Sequence, residues 1–450
     1  MTPDLRPALP RRDALLYAFG SFSGNLVSRA MAAWLFFFYA ANREGADIPA
    51  RVPVWAVGTI LTVTTVLDAL DDPLVGYWSD RTRTRWGRRI PFIVLATPPW
   101  ALLFFLLWIP PVDGVSALNA VYLFVVVTAF HLCGTLSGGP LESLLPEIAP
   151  RSADRVRIVT WQVVFGTLSA VVALIFTGPI IDRFGFAVMG AVVAALALLS
   201  RFLALVGAWR HARLDVEPAR LHVLEAFRWT LRNDQFLYFL PTFVLFNMGI
   251  TLMTAALPFV VEAIIRPPEG RVGTYTAILA AVPIGVVLLS LPVVYRLALR
   301  RGKAWVYATT MLLGACYLPL LFFMGFVPGV PRLAQALLFL APVGVCMAGV
   351  FVFPNAIMAD IIDYDAIRTG MRREAMYYGT QNLIEGSVEA LHALILAGLL
   401  ALGSTAENPL GLRLVGPVAG LSILVGYLIF RGYKLPDTVR PDTIPASLLR

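Results

Sequence analysis

Apolar residues occur along this chain in long blocks separated by short polar connections. Blocks of membrane-crossing length lie at 13–41, 53–79, 91–110, 117–146, 155–180, 187–210, 235–264, 272–296, 303–325, 333–360, 374–402 and 410–432. About 20 apolar residues in a helix cross the roughly 30 Å of bilayer hydrocarbon, so the pattern predicts twelve transmembrane helices. The first block is too long for a signal-peptide core and has no small-residue cleavage pattern, so it is expected to stay as a helix. The longest polar connection, from Arg210 to Asp234, carries His211, Arg213, Asp215, Glu217, Pro218, Arg220, Arg228 and Arg232. It divides the helices six and six. The expected organisation is an N-terminal half at 1–210, a linker at 211–233 and a C-terminal half at 234–450.

Composition sharpens the class. Hydrophobic residues make up 58% and charged residues 14% of the 450, and mean hydropathy is +0.75, far more apolar than a soluble domain. The expected fold class is an all-α integral membrane protein. Of the 36 Lys and Arg residues, 27 fall in the termini and the connections after helices 2, 4, 6, 8 and 10. The opposite side holds Arg43, Arg51, Arg183, Arg266, Arg271, Arg332 and Arg413, and Arg29 and Arg201 lie within helices. The positive-inside rule then places both termini in the cytoplasm. The formal charge of +8 thus reports topology, and no nucleic-acid partner is expected. Cys133, Cys316 and Cys346 sit in apolar blocks at no metal-ligand spacing and read as packing residues.

Against this background the second block is unusual, because it carries Asp68, Asp71 and Asp72. A carboxylate near the bilayer centre costs about 2.5–3.5 kcal/mol on an insertion scale, and an apolar side chain returns only roughly 0.3–0.6. Such acids face a bundle interior or a wet cavity and mark ion or substrate paths. Spacings of three and four put all three on one helix face with Cβ atoms about 5–6 Å apart. Helix rise sets Asp68 about 16 Å from the helix end near Ser79. Clustered carboxylates suit hard cations, and their mutual repulsion equally allows a shared proton. Na⁺, Li⁺ and H⁺ therefore stay open as the coupling cation. Neutralisation of the acids by arginines for folding alone is the competing reading.

Other polar groups fall inside apolar blocks. They are Asn25 and Arg29 in helix 1, Glu142 in helix 4, Gln162 in helix 5, and Gln381, Glu385, Glu389 and His392 in helix 11. Arg29 is expected to bond one of these glutamates or an anionic substrate, since an unpaired charge there is costly. Trp34, Trp161, Tyr377 and Tyr378 can form a stacking wall for a sugar ring, or pack and anchor at the membrane interface. Asp80, Arg81, Arg88, Arg89, Asp360, Asp363, Arg372 and Arg373 stand at cytoplasmic helix ends, where charge-assisted bonds can hold an inner gate closed. Ser137-Gly138-Gly139 reads as small residues that permit close helix packing. No phosphate loop, zinc-protease pair or nucleophile elbow is present, so no enzyme activity and no cofactor are expected.

The string from Asp68 through Asp71, Asp72, Gly76, Asp80-Arg81, Trp86-Gly87-Arg88-Arg89 to Pro91-Phe92 resembles the glycoside-pentoside-hexuronide:cation symporters of the major facilitator superfamily. Met358 to Asp365, Thr369 to Glu374 and Tyr378 to Gln381 agree, and Pro140 to Ile148 followed by Asp154-Arg155 agrees more weakly. The resemblance implies a cation site at Asp68 and Asp72, with Asp71 at the intervening polar position and Thr135 at a helix 4 threonine. It also implies that sugar-carrying relatives place acids in helices 1 and 4 and a lysine in helix 11. At those places this chain has Asn25, Gly138 and Gly386.

The expected function is secondary active transport of a sugar or glycoside-like solute, coupled to a cation, by alternating access of two six-helix halves. Asn25, Arg29, Glu142, Trp161, Gln162, Tyr378, Gln381, Glu385 and Glu389 are the expected substrate contacts. An amphipathic or anionic substrate such as a lysophospholipid is the alternative, with Phe36-Phe37-Phe38 as an apolar path, and a non-transporting sensor on the same fold is a further one. A monomer in a bacterial inner membrane is expected, with a small-molecule substrate and the lipid bilayer as its partners.

Overall fold

In a computed structural model, the structure describes residues 9–40, 50–82, 84, 86–87, 89–149, 152–211, 230–370 and 374–436. The described residues are helical, with no strand among them. In the first part of the chain the helices are α1 (Arg11–Ala18), α2 (Gly20–Ala40), α3 (Val54–Arg81), α4 (Ile90–Leu106), α5 (Ala117–Ser143), α6 (Leu145–Ile148) and α7 (Ser152–Trp209). In the second part they are α8 (Asp234–Val260), α9 (Val272–Arg301), α10 (Lys303–Tyr317), α11 (Arg332–Val352), α12 (Pro354–Thr369), α13 (Glu374–Glu389), α14 (Leu391–Leu402) and α15 (Leu410–Phe430). Eight described helical segments are long and apolar enough to cross a membrane.

Local chemistry sets the helix ends. Ser116 caps α5 by accepting from the Leu118 N–H at 3.1 Å, and Asn233 caps α8 by accepting from Gln235 and Phe236. Both satisfy orphan donors of a first turn. Blocks 155–180 and 187–210 merge into α7, broken by Gly185 at φ 83°. Only glycine takes that backbone shape without strain.

The chain forms two compact units. Unit 1 comprises Met1–Ala219 and Pro268–Ala277, and unit 2 comprises Arg220–Pro267 and Ile278–Arg450. In unit 1, α7 packs along α1, α2 and α4, and α5 packs on α3 and α4. Tyr17, Ala18, Ile93, Leu141, Leu144 and Ala204 form a core there, and Trp34 on α2 donates to Thr177 on α7 at 2.9 Å. In unit 2, α8 packs on α15, α13 and α14, with Tyr307 edge-on to Phe430 and Phe236 edge-on to Tyr377. Large apolar side chains point outward, Leu289 at 79% exposure and Leu95 at 72%. Exposure on that scale is what a lipid-facing surface requires.

Candidate functional site

The site begins on α3. Asp68 is half-buried, and its carboxylate meets two residues of α5. Thr135 Oγ1 donates to Asp68 Oδ1 at 3.3 Å, and His131 Nδ1 lies 3.3 Å from Oδ2. His131 and Thr135 are four apart, so one face of α5 presents both to the acid. The acid and the threonine named from sequence are therefore brought together. His131 was missed, although its spacing from Thr135 was the available signal. Asp71 is half-buried on the same helix. Asp72 lies on α3 with its side chain outside the described residues.

Three residues further along α5, about 4.5 Å of helix rise, a polar cavity of about 280 Å³ opens within unit 1. Asn25, Glu142 and Gln162 line it, together with Ser21, Ser23, Ser28, Gly138 and Arg201. Three expected substrate contacts from α2, α5 and α7 thus share one wall. Asn25 Nδ2 donates to the Ser21 carbonyl at 3.1 Å and leans on Gly166, where a Cβ would come within 3.0 Å of Nδ2.

Arg201 is the residue that sequence reasoning left out. It is 7% exposed and donates to Ser23 Oγ at 3.4 Å through Nε and to Ser137 Oγ through Nη1. Its guanidinium lies 3.6 Å from the ring centre of Trp100, which in turn stacks on Phe130. Close approach depends on small residues of α5. A Cβ at Gly134 would stand 3.3 Å from Trp100 Nε1, and one at Gly138 would stand 3.5 Å from Arg201 Nη2. The Ser137-Gly138 pair, read from sequence as packing residues, also forms the seat of a buried cation.

Other expectations are not met within this cavity. Trp161 does not line it. The side chain is 39% exposed and stacks on Phe165. Neighbouring residues on a helix diverge by about 100°, so Gln162 facing the cavity turns Trp161 away. Arg29 is half-buried on α2 and is likewise absent from the lining. Tyr378, Gln381 and Glu385 lie on α13 in unit 2. There Glu385 accepts from Asn247 Nδ2 at 3.0 Å, and Gln381 is buried while Tyr378 is exposed. The Glu389 side chain lies outside the described residues.

Among the expected gate residues, Arg89 Nη1 meets Glu147 Oε1 at 2.6 Å and also donates to the Ser143 carbonyl. Lys303 meets Asp360 at 2.6 Å. Asp363 is half-buried on α12. Asp80 and Arg81 end α3 with side chains outside the described residues, and Arg88, Arg372 and Arg373 also lie outside them. Elsewhere in unit 1, Asp182 accepts from the N–H of Gly273 at 2.7 Å and from the N–H and hydroxyl of Thr274 at 2.6 Å each. It caps α9, and sequence spacing gave no hint of it.

A protein-family model described as MFS/sugar transport protein matches residues 16–429. An uncharacterized symporter of Synechocystis is 30% identical over 36% of this chain and 29% of its own length, so the chain spans under a third of that relative. A glucuronide carrier protein homolog of Escherichia coli K12 is 25% identical over 94% of this chain and 92% of its own. The crystal structure of the nucleoside transporter NupG superposes with a TM-score of 0.64 at 12% identity, covering 94% of this chain and all of that one. The shared fold is that of a multi-pass membrane transporter.

Proposed function

The chain belongs to the MFS/sugar transport protein family, and on that premise we propose that it is a cation-coupled symporter of a sugar or glycoside. The observation that carries this reading is the arrangement on α5. One face meets the carboxylate of Asp68 through His131 and Thr135, and the next turn walls the polar cavity. A cation bound at Asp68, with Asp71, Asp72 and Thr135, acts on the helix that also holds the substrate. Coupling follows if each ligand favours the α5 position that the other needs, because a ligand shifts an equilibrium only by its differential affinity.

In this reading the chain crosses the membrane twelve times in two halves, 1–210 and 234–450, joined by the linker at 211–233. Both termini are cytoplasmic in a bacterial inner membrane, and the protein works as a monomer. The transported cation is Na⁺, Li⁺ or H⁺, and no resident metal or cofactor takes part. Asn25, Glu142 and Gln162 hold hydroxyls, the mixed donor and acceptor set that a sugar needs. The helix-end charges, Arg89 and Asp360 among them, stabilise individual conformations of the transport cycle. Homologues named as a glucuronide carrier and a symporter support the substrate class and the coupling.

The test is uptake of a radiolabelled methyl glycoside into proteoliposomes under an imposed Na⁺ or proton gradient. Asp68→Asn and Asp72→Asn are each expected to abolish accumulation above equilibrium while still reconstituting. Full concentrative uptake by both variants would falsify the cation assignment.

A further inference from the structure

We propose that Asn247 is a positioning residue for transport, holding the Glu385 carboxylate on an exposed polar stripe of α13 so that it accepts from one hydroxyl of the glycoside. The inference rests on the symporter reading above and gives a residue of α8 a part in it. Asn247 Nδ2 donates to Glu385 Oε1 at 3.0 Å across 138 positions. Both side chains are half-buried, and α8 packs on α13.

Helix periodicity separates two exposed faces of α13. Tyr378, Asn382 and Glu385 stand at i, i+4 and i+7 and so share one stripe. Tyr378 and Asn382 are exposed, and a Cβ added at the neighbouring Gly379 or Gly386 would meet nothing within 4 Å. Leu383, about 100° round the helix from Asn382, is 40% exposed and belongs to the lipid-facing surface. Ser387, four residues on, returns its hydroxyl to the Leu383 carbonyl at 2.8 Å, as a hydroxyl facing lipid must. The stripe lies in Met376–Leu402, a segment apolar enough to cross a membrane, and helix rise sets Glu385 about 14 Å into it. Polar side chains exposed at that depth mark a wet path and not lipid.

A carboxylate offers two oxygens and about four acceptor positions. The amide N–H on Oε1 takes one of them and fixes the carboxylate plane, so that a sugar hydroxyl is received in one orientation alongside the protein contacts. Interhelical bonds of this kind add little to packing in membranes, because separated helices also find partners for their polar groups. Orientation is what the pair supplies. Asn247 acts on substrate only through Glu385, so its effect is confined to the hydroxyl that Glu385 receives.

The experiment is initial-rate uptake by the full-length protein in proteoliposomes under a Na⁺ or proton gradient. The probes are the radiolabelled methyl α- and β-glycosides of D-glucose, D-galactose and D-xylose, with monodeoxy derivatives of the best-carried one as competitors. Detergent thermal stability reports folding. In wild type, removal of one particular hydroxyl is expected to weaken competition by about 10-fold or more, the scale of a hydrogen bond to a charged group. Asn247→Leu is expected to raise KM with little change in Vmax, to bring that one ratio toward unity and to keep the ratios for the other hydroxyls. Asn247→Gln retains the amide donor and is expected to restore part of the lost ratio. Glu385→Gln is expected to lose the same ratio, and adding Asn247→Leu to it should change nothing more, because residues that act as one unit are not additive.

A purely structural Asn247 would lower thermal stability and weaken every competitor together. A deoxy ratio unmoved by Asn247→Leu in folded protein, or by Glu385→Gln should the first variant fail to fold, overturns the inference and leaves the glycoside reading standing. Absence of saturable uptake of every methyl glycoside by wild type overturns both.

Discussion

Removing the carboxylate of Asp182 should release the first turn of α9 from α7. Three donors converge on this side chain, the N–H groups of Gly273 and Thr274 and the Thr274 hydroxyl, at 2.6–2.7 Å. Loss of an N-cap costs about 0.5–2 kcal/mol, and an anion at a helix N-terminus contributes about 0.3–1 more. Full charge-assisted values of about 1.5–3 kcal/mol per bond do not apply three times over, because the donors share one acceptor at a half-buried position. A loss of about 2 kcal/mol for Asp182→Ala is the working figure, or about 30-fold in the ratio of released to held segment. Asp182→Asn keeps one acceptor oxygen and should lose about half, roughly 5-fold. Gly178 and Gly273 touch through their backbones, so a Cβ on either would overlap the other's carbonyl, and Gly273→Ala should act in the same direction as Asp182→Ala.

The assay is maleimide labelling of Thr276→Cys, a 4% exposed position two residues beyond the cap, in a variant lacking Cys133, Cys316 and Cys346. Labelling should rise in the order wild type, Asp182→Asn, Asp182→Ala. The capped turn lies in residues 268–277, which belong to unit 1 together with Asp182. Equal labelling in all three backgrounds would refute the reasoning.

Two more outcomes are expected. Arg89 and Glu147 have side chains 11% and 4% exposed, so Arg89→Met alone should cost about 3–5 kcal/mol by stranding a buried charge, whereas Arg89→Met with Glu147→Leu should recover most of it. Detergent thermal stability of the two single variants and the double variant checks this, and purely additive losses would show that the pair does not interact. At the candidate cation site, His131 Nδ1 lies 3.3 Å from Asp68 Oδ2, so His131→Asn should shift the Na⁺ concentration for half-maximal thermal stabilisation by roughly 5-fold, about 1 kcal/mol for one altered hydrogen-bond partner. An identical Na⁺ dependence in both proteins would remove His131 from the site.

Sequence alone determined what depends on contiguous residues. Block length against bilayer thickness gave the helices, since each apolar stretch must satisfy its own backbone hydrogen bonds inside the membrane. Acids three and four apart on one block marked α3 as the candidate cation helix for the same local reason. Partnership between helices was decided by the tertiary structure. Thr135 meets Asp68 across 67 positions and Arg201 meets Ser137 across 64, and nothing in either segment states that distance. Arg201 stood in plain view as an arginine well inside an apolar block, away from its ends, yet its contacts came from packing. Gly134 and Gly138 let α4 and α7 approach α5 closely enough for Trp100 and Ser137 to hold the guanidinium. The cap from Asp182 to α9 was equally invisible, because a carboxylate at the end of one helix carries no sign of which other helix start it will meet. Neighbour choice is set by the close packing of many side chains at once, and that packing exists only in the folded chain.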